Sequence, residues 1–263
     1  MFSRISGFVS SLTDGTLVRF RDREKAAENI YSFIKDHMKG VDKKEILVLG
    51  IPRGGIIMAS NIANKIGCSF DFVVPSRMVA PHNQELTVGA IMNDRKTTYI
   101  NTTMVEELKI DKDYLNQEMV KKVNEINVKI KKFLGDNNDI RPSDKEDVTR
   151  SQETNQIENN QYLLKYKEKY KIIILVDDGV YTGATMIVSA KWILDNLLPS
   201  KVIVCATVIP KEVGSLIKNE TGRNVFVESI MTPSVSKFKT VGHAYYGFMP
   251  VDDDQVIKVL NKR

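Results

Sequence analysis

The chain has 263 residues, and its 42% hydrophobic and 27% charged residues are an ordinary globular balance that allows one large α/β domain. The net charge of +5 favours an anionic ligand, but nucleic acids and phosphorylated metabolites would be attracted equally. No stretch approaches the ~20 apolar residues of a membrane span, and residues 1–20 lack the apolar core of a signal peptide.

The first half of the chain alternates predicted helices and strands. An amphipathic helix is expected over residues 22–39, because Ala26, Ile30, Phe33 and Ile34 share one face. The pattern then predicts a strand at 45–50, a glycine-rich loop at 51–55, a helix at 56–66, a strand at 70–75, and a two-stranded ribbon of 88–92 and 96–100.

Two further helices are predicted between residues 103 and 134, meeting near Asp111. The longer one carries an apolar seam of Val120, Val123, Ile126, Ile130, Phe133 and Leu134. We expect this seam to pack on the chain's own core, with a partner interface as the alternative.

Residues 136–161 differ in composition from the rest of the chain. They contain seven acidic and three basic residues, so the remaining chain carries a net charge of +9. Their only aliphatic side chains are Ile140, Val148 and Ile157, too few to offset the entropy of ordering the segment. We therefore predict a single domain over 1–263 with a mobile polar insertion at 136–161.

The second half continues the alternation. It predicts a strand at 172–176, a helix at 184–198, a strand at 202–209, a helix at 211–219, a strand at 224–230 and a helix at 252–261. Strands that alternate with helices predict an α/β fold in which a parallel sheet is flanked by helices.

Two carboxylates, Asp177 and Asp178, follow directly after the apolar run 172–176, where they would repel each other without a ligand. Gly179 and Gly183 allow a tight turn, and a helix starting near Ala184 offers free N–H groups to a phosphate. Adjacent carboxylates can accept hydrogen bonds from vicinal hydroxyls, so the stretch predicts a ribose 5-phosphate site. An Mg²⁺ or phosphoryl-accepting aspartate pair and a purely structural turn are the alternatives.

The stretch ILVDDGVYTGAT (174–185) resembles the phosphoribosyl diphosphate (PRPP) signature of type I phosphoribosyltransferases. In that signature a hydrophobic run and two acids precede three variable positions and a Thr-Gly-x-Thr loop. Gly179 and Tyr181 depart from its commonest residues. Four further blocks are similar to a subgroup of predicted phosphoribosyltransferases whose acceptor is uncharacterised: FRDREKAAENI, VLGIPRGG, QELTVGAI and FKTVGHAYYGF.

The resemblance covers nearly all of the chain outside 136–161, and it implies site residues. Asp177 and Asp178 would hold the ribose hydroxyls, and Arg53 would face the departing diphosphate, which makes these three the catalytic candidates. The substrate-binding candidates that it implies are Gly54, Gly55, Arg77, Gly179, Val180, Tyr181, Thr182, Gly183, Ala184 and Thr185. It also implies a non-proline cis peptide near Arg53.

The same resemblance implies the reaction, the displacement of diphosphate from C1 of the sugar by a nitrogenous acceptor. Mg²⁺ would arrive with PRPP, so no residue is assigned as a metal ligand. Residues 81–87, with Glu85 as a polar contact, are a candidate lid, and the aromatic segment 242–248 is a candidate hood over the acceptor. His243 in that hood fits a structural role better than a general base.

Three functions remain open at this point: a catalytic phosphoribosyltransferase, a regulator that senses PRPP or a nucleotide, and an enzyme with other sugar phosphate chemistry. A regulator could use the basic body to bind nucleic acid, but no nucleic-acid-binding motif supports this. We expect small-molecule partners, no membrane partner and a possible homo-oligomer. Cys68 and Cys205 lack metal-ligand spacing, so we expect buried free thiols and a cytoplasmic location.

Overall fold

The strands form two sheets in the computed structural model, which describes residues 19–135 and 161–263. The strands of the described ranges are β1 Ile46–Gly50, β2 Ser69–Phe72, β3 Ser76–Ala80, β4 Asn83–Ile91, β5 Thr98–Ile100, β6 Ile172–Asp177, β7 Lys201–Val208 and β8 Val225–Met231. Five of them pair in parallel in the order β2-β1-β6-β7-β8, and the other three form the antiparallel sheet β3-β4-β5. The predicted parallel sheet is confirmed.

The connections of the parallel sheet reverse direction between β1 and β6. From β1 the chain passes to β2 on one side, whereas from β6 it passes to β7 and then β8 on the other. In open parallel sheets such a reversal leaves a crevice beyond the carboxyl ends of the two strands, where ligands bind. The loops after β1 and β6 are the two that the sequence singled out.

Helices flank the parallel sheet. Their bounds are α1 Arg23–Ile34, α2 Gly54–Ile66, α3 Thr102–Glu107, α4 Lys112–Leu134, α5 Gln161–Leu164, α6 Ala184–Leu197, α7 Lys211–Thr221 and α8 Asp253–Leu260. Helices α1 and α2 pack against each other and on the parallel strands, and α6 packs between that sheet and β4. The side chain of Asp22 caps α1 and that of Asp111 caps α4.

The apolar strand residues form the core. Every residue of β6 from Ile172 to Val176 is buried, as is every residue of β1. This is the pattern of a central parallel strand covered on both faces. The two buried strands give a rigid support to the loops that follow them.

Several element predictions need correction. The strand expected at 70–75 ends at Phe72, although Val73 and Val74 remain buried. Val120 is exposed, so the buried face of α4 is carried by Val123, Ile126, Ile130 and Phe133. Gln161, the last residue of the predicted polar insertion, belongs to α5, where Tyr162 and Leu163 are buried. The rest of that predicted insertion, 136–160, lies outside the described residues.

The antiparallel sheet contains a strand that the sequence did not predict. Residues 76–80 form β3, which pairs with β4 through an irregular register near Met78 and Val79. The expected ribbon of 88–92 and 96–100 is confirmed as the pairing of β4 with β5. The segment proposed as a lid, 81–87, is the turn and first part of β4 in this hairpin rather than a loop.

Candidate active site

The loops after β1 and β6 start side by side. The register sets Gly50 opposite Val176, and the N–H of Ile51 donates to the carbonyl of Val176 at 3.0 Å. Gly54 and Gly55, expected in a loop, instead form the first turn of α2, with Arg53 as its N-cap. A Cβ atom at Gly55 would lie 2.5 Å from the Val176 oxygen and 3.0 Å from the Asp177 Cα. Only glycine lets this helix begin so close to the end of β6.

Gly54 makes room for an ion pair. A side chain at this position would collide with the carboxylate of Asp178, and its Cβ would lie 2.8 Å from the Arg23 Nε. The Nε and Nη2 atoms of Arg23 lie 2.9 and 2.8 Å from Oδ2 of Asp178. The two side chains are only 11% and 15% exposed, so water screens this pair weakly.

Arg23 is the main site residue that the sequence analysis missed. Its Nη1 donates to the carbonyl of Met249 at 2.8 Å, and its guanidinium carbon lies 4.2 Å from the centroid of the Phe248 ring. One arginine from the start of α1 thus connects the carboxylate pair to the hood. The signal available in the sequence was its position in the block FRDREKAAENI, one of those that carried the family resemblance.

Asp177 and Asp178 differ electrostatically although they are neighbours. The N–H of Asp178 donates to Oδ1 of Asp177 at 2.8 Å. Burial raises the pKa of Asp177 well above its usual range, and the adjacent charge of Asp178 raises it further. The pair therefore combines a carboxylate held by Arg23 with an acid that ionises reluctantly.

Tyr245 in the hood holds the backbone of this pair. Its hydroxyl donates to the carbonyl of Asp178 at 2.8 Å and lies 2.6 Å from Oγ1 of Thr207. The ring is buried, and this burial raises the pKa of the phenol, so the hydroxyl stays protonated at neutral pH. Backbone hydrogen bonds of Phe20 to Ala244 and Tyr246 fix the hood beside it.

The loop from Gly179 to Thr185 ends in a helix N-terminus. The N–H of Val180 donates to the carbonyl of Val208 at 2.9 Å, and a Cβ at Gly179 would overlap the side chain of Val241. Gly183 is the N-cap of α6 with φ +80°, and no side chain of the described residues caps this helix. Ala184 begins α6, with Thr182 and Thr185 partly exposed on either side. N–H groups in the first turn of a helix that lack a side-chain cap are suited to binding an anion.

Gly183 packs closely against a neighbouring helix in addition to turning the loop. A Cβ here would lie 2.9 Å from Cγ1 of Val213 in α7. Its positive φ and its contact with α7 both require glycine. Tyr181 is exposed, and its ring centroid lies 5.6 Å from that of Phe238.

Arg53 and Arg77 have different surroundings. The Nε of Arg53 donates to Oδ1 of Asp253 at 2.7 Å, and the Pro52–Arg53 peptide bond is cis, as the resemblance implied. Arg77 lies on β3 with its side chain exposed. Within the described ranges no hydrogen bond or ion pair joins Arg77 to the other predicted site residues, so its part in the site stays a prediction.

Cys68 and Cys205 are free thiols; Cys205 is buried as expected, whereas Cys68 is partly exposed. Among residues 19–135 and 161–263 no helix has the length and apolar character to cross a bilayer. Over the same ranges, no three His, Cys, Asp or Glu side chains come together as a possible metal site.

The comparison with protein families identifies the class. The family model described as "Phosphoribosyl transferase domain" matches residues 19–243, which include both loops and Arg23 but only the first two residues of the hood. The chain belongs to this family. Its parallel sheet flanked by helices is the type I phosphoribosyltransferase fold.

The individual relatives are distant. Two curated Mycobacterium tuberculosis proteins, from strains CDC 1551 / Oshkosh and ATCC 25618 / H37Rv, are each 24% identical over 83% of this chain, and their names read "Putative phosphoribosyl transferase". The chain spans 42% of the length of these relatives. The crystal structure of TT1426 from Thermus thermophilus is 23% identical, with a TM-score of 0.62 over 93% of this chain and 99% of that one. This last likeness supports the fold alone.

Proposed function

We propose that the chain is a pentosyltransferase that transfers ribose 5-phosphate from PRPP to a nitrogenous acceptor and releases diphosphate. The main observation in support is that two helices begin at the carboxyl ends of neighbouring strands, α2 after β1 and α6 after β6. Asp177 and Asp178 lie beside these two helix N-termini. PRPP has an anionic group at each end of a ribose. Two anion sites beside a diol-binding pair match that order.

Each part of the substrate then has a proposed partner. The N–H groups at the start of α6, with Thr182 and Thr185, bind the 5′-phosphate, and Tyr181 borders this loop. Asp177 and Asp178 accept hydrogen bonds from the ribose hydroxyls. The start of α2, with Arg53, Gly54 and Gly55, binds the diphosphate. Arg23 and Tyr245 fix Asp178 through its carboxylate and its carbonyl.

In the reaction the bond between C1 and the diphosphate oxygen breaks, and its electron pair leaves with the diphosphate. A nitrogen lone pair of the acceptor forms the new C1–N bond, and the proton that this nitrogen carried passes to the departing diphosphate or to solvent. The ring carries positive charge in the transition state, and the carboxylate pair attracts that charge more strongly than it attracts the neutral sugar. Positioning and electrostatics therefore account for the rate, and no covalent enzyme intermediate is needed.

The described side chains do not form a metal site of their own. We therefore propose that Mg²⁺ comes bound to the diphosphate of PRPP, and we assign no step to it. The acceptor is proposed to stack under the hood, where Tyr246 and Phe248 are exposed. The free thiols and the lack of a membrane-spanning helix in the described ranges agree with a cytoplasmic site of action.

The test is diphosphate release from PRPP with a panel of nitrogenous bases, together with PRPP affinity. Wild type should turn over with at least one acceptor. Asn at position 177 or 178 keeps the shape but loses the charge, so each variant should lose about 10- to 100-fold in turnover and much less in affinity. A regulator would bind PRPP but release no diphosphate with any base. An affinity loss as large as the rate loss would contradict the electrostatic role of the pair.

A second, independent measurement addresses the 5′-phosphate site. Ribose 5-phosphate alone should raise the melting temperature of wild type, because the start of α6 binds a phosphate monoester without the diphosphate. Thr182→Val and Thr185→Val should reduce this protection, since each removes a hydroxyl donor. Full protection in both variants would exclude this loop as the phosphate site.

A further inference from the structure

Helix α8 reaches the start of α2 through one side chain. Asp253, in the first turn of α8, accepts a hydrogen bond from the Nε of Arg53 at 2.7 Å, across 200 positions of the sequence. The carboxylate of Asp253 is only 18% exposed, whereas the Arg53 side chain is 49% exposed. The acid is thus fixed within the structure and the arginine extends from it into solvent.

Asp253 is held from its other side as well. The Nζ of Lys132 in α4 donates to Oδ2 of Asp253 at 2.7 Å, so each carboxylate oxygen has one cationic partner. These two contacts lower the pKa of Asp253, and the hydrogen bond from Lys132 is the largest single cause. A shared, partly buried carboxylate holds its geometry better than an exposed single pair.

The contact uses only one edge of the guanidinium. Arginine has five N–H donors in a planar fork, and the bond to Asp253 takes the Nε–H. One N–H of Nη2 shares the edge of Nε, and the other three donors at Nη1 and Nη2 point away from that edge, because the fork is planar and rigid. An arginine held in this way presents a preformed pair of donors beside the first turn of α2.

We propose that Asp253 is a positioning residue that fixes the Arg53 guanidinium for binding the diphosphate of PRPP. This inference rests on the proposed function, since it assumes that Arg53 binds diphosphate. Asp253 touches no substrate atom in this arrangement and acts through Arg53. Its effect on the site should therefore vanish when Arg53 is removed.

The competing explanation is that the contact only fastens α8 to the body of the protein. Helix α8 already has other attachments: a capping box of Asp252 and Gln255, and the buried side chains of Val256 and Leu260. If the contact only fastens α8, removing the Asp253 carboxylate should lower the melting temperature, whether or not ligand is present. If Asp253 positions Arg53, removing it should weaken diphosphate affinity, and only when Arg53 is present.

The experiment is a double-mutant cycle on the full chain, with diphosphate and Mg²⁺ as the probe in titration calorimetry. The variants are Arg53→Ala, Asp253→Asn and the combination of both. Asp254→Asn is the matched control, because Asp254 is exposed in the same helical turn and carries the same charge. Asp253→Glu tests rescue, and the melting temperature of each unliganded variant reports fastening.

We expect Asp253→Asn to weaken diphosphate binding about fivefold in wild type but less than about twofold in the Arg53→Ala background. Asp254→Asn should change affinity less than about twofold, and Asp253→Glu should recover part of the loss. An equal loss in both backgrounds, or no loss from Asp253→Asn beside a clear loss from Arg53→Ala, would overturn the positioning role alone. No effect of Arg53→Ala, or no diphosphate binding by wild type, would remove the proposed diphosphate site and the inference with it.

Discussion

Asp177 and Asp178 are adjacent, yet folding affects their charges in opposite ways. Asp178 is paired with Arg23 in a nearly buried contact, so its charge is compensated. Asp177 has a raised pKa because burial and the charge of Asp178 both disfavour its ionised form. A buried acid such as Asp177 therefore lowers the free energy of unfolding at neutral pH. Such a cost is expected at a site that is arranged for a ligand and not for the stability of the free protein.

Asn substitutions should therefore have opposite effects on stability. Asp177→Asn removes an ionisation that folding disfavours, and its amide can still accept the N–H of Asp178, so the melting temperature at pH 7 should rise. Asp178→Asn leaves the guanidinium of Arg23 without its counter-charge, so the melting temperature should fall. For a chain of this size each kcal/mol corresponds to roughly 2–4 °C.

The pH dependence of the melting temperature tests the direction of the pKa shift of Asp177. Its pKa is higher in the folded than in the unfolded chain, so wild type loses stability as the pH rises above the unfolded value of about 3.9. The advantage of Asp177→Asn should be small near pH 4 and should grow toward pH 8. A melting temperature difference that is independent of pH between these limits would contradict a raised pKa at Asp177.

Individual residues show which parts of this site could be predicted from the sequence alone and which could not. Asp177, Asp178 and the glycines could be found because their chemistry is concentrated in two short stretches that follow apolar runs. Arg23 and Asp253 could not, because each lies at the start of an amphipathic helix and meets its partner 155 or 200 positions away. Nothing in a local pattern distinguishes such residues from solvated helix charges.

The hood is fixed to the end of β6 by a buried hydroxyl. Tyr245→Phe removes the donor to the Asp178 carbonyl and the contact with Thr207, so we expect a loss of about 1–2 kcal/mol in the free energy of unfolding. Tyr246→Phe is the matched control because that side chain is 77% exposed. Denaturant titration of both variants is the measurement. Equal stabilities would mean that the Tyr245 hydroxyl contributes nothing to holding the hood.

The junction between the loop after β6 and α6 depends on Gly183. Gly183→Ala should destabilise through its positive φ and through overlap with Val213 in α7. Gly67→Ala is a control with a similar φ of +78°, because its Cβ would meet only Lys43 at an ordinary 3.5 Å. The unfolding free energy should fall further for Gly183→Ala. An equal loss would indicate that α7 moves aside at no cost.

At this scale the sequence predicted elements with continuous apolar runs or seams better than the others. Strands β1, β6 and β7 and helices α4 and α6 have such runs or seams, and they lie close to where they were expected. Strand β3 was missed because it begins with Ser76 and Arg77, follows Pro75 and pairs through an irregular register. The sequence predicted that α2 starts two residues later than it does. Gly54 and Gly55 are typical of a loop in a local pattern, and the contacts that require glycine there come from residues at the end of β6.

At the scale of the whole chain, replacing the polar residues 136–160 tests whether they are needed for folding. Helices α4 and α5 bury their own residues on either side, with Ile130 and Phe133 before and Tyr162 and Leu163 after. Replacing 136–160 by a short glycine–serine linker should leave the melting temperature within a few degrees, because loop closure depends weakly on length. Loss of a cooperative thermal transition in this variant would show that the segment packs on the domain.

The ion pair of Arg23 with Asp178 and that of Arg53 with Asp253 also constrain how the protein is made. A ribosome delivers the chain in one direction, so Arg23 and Arg53 emerge well before their acidic partners. Strands β1 and β2 can exist as a nascent pair, but β1 lacks its second neighbour until β6 has been synthesised. The carboxylate pair lacks Tyr245, and Arg53 lacks Asp253, until nearly the whole chain has been synthesised. Under the proposed function, PRPP can therefore stabilise only a nearly finished chain, and unfinished chains gain no protection from it.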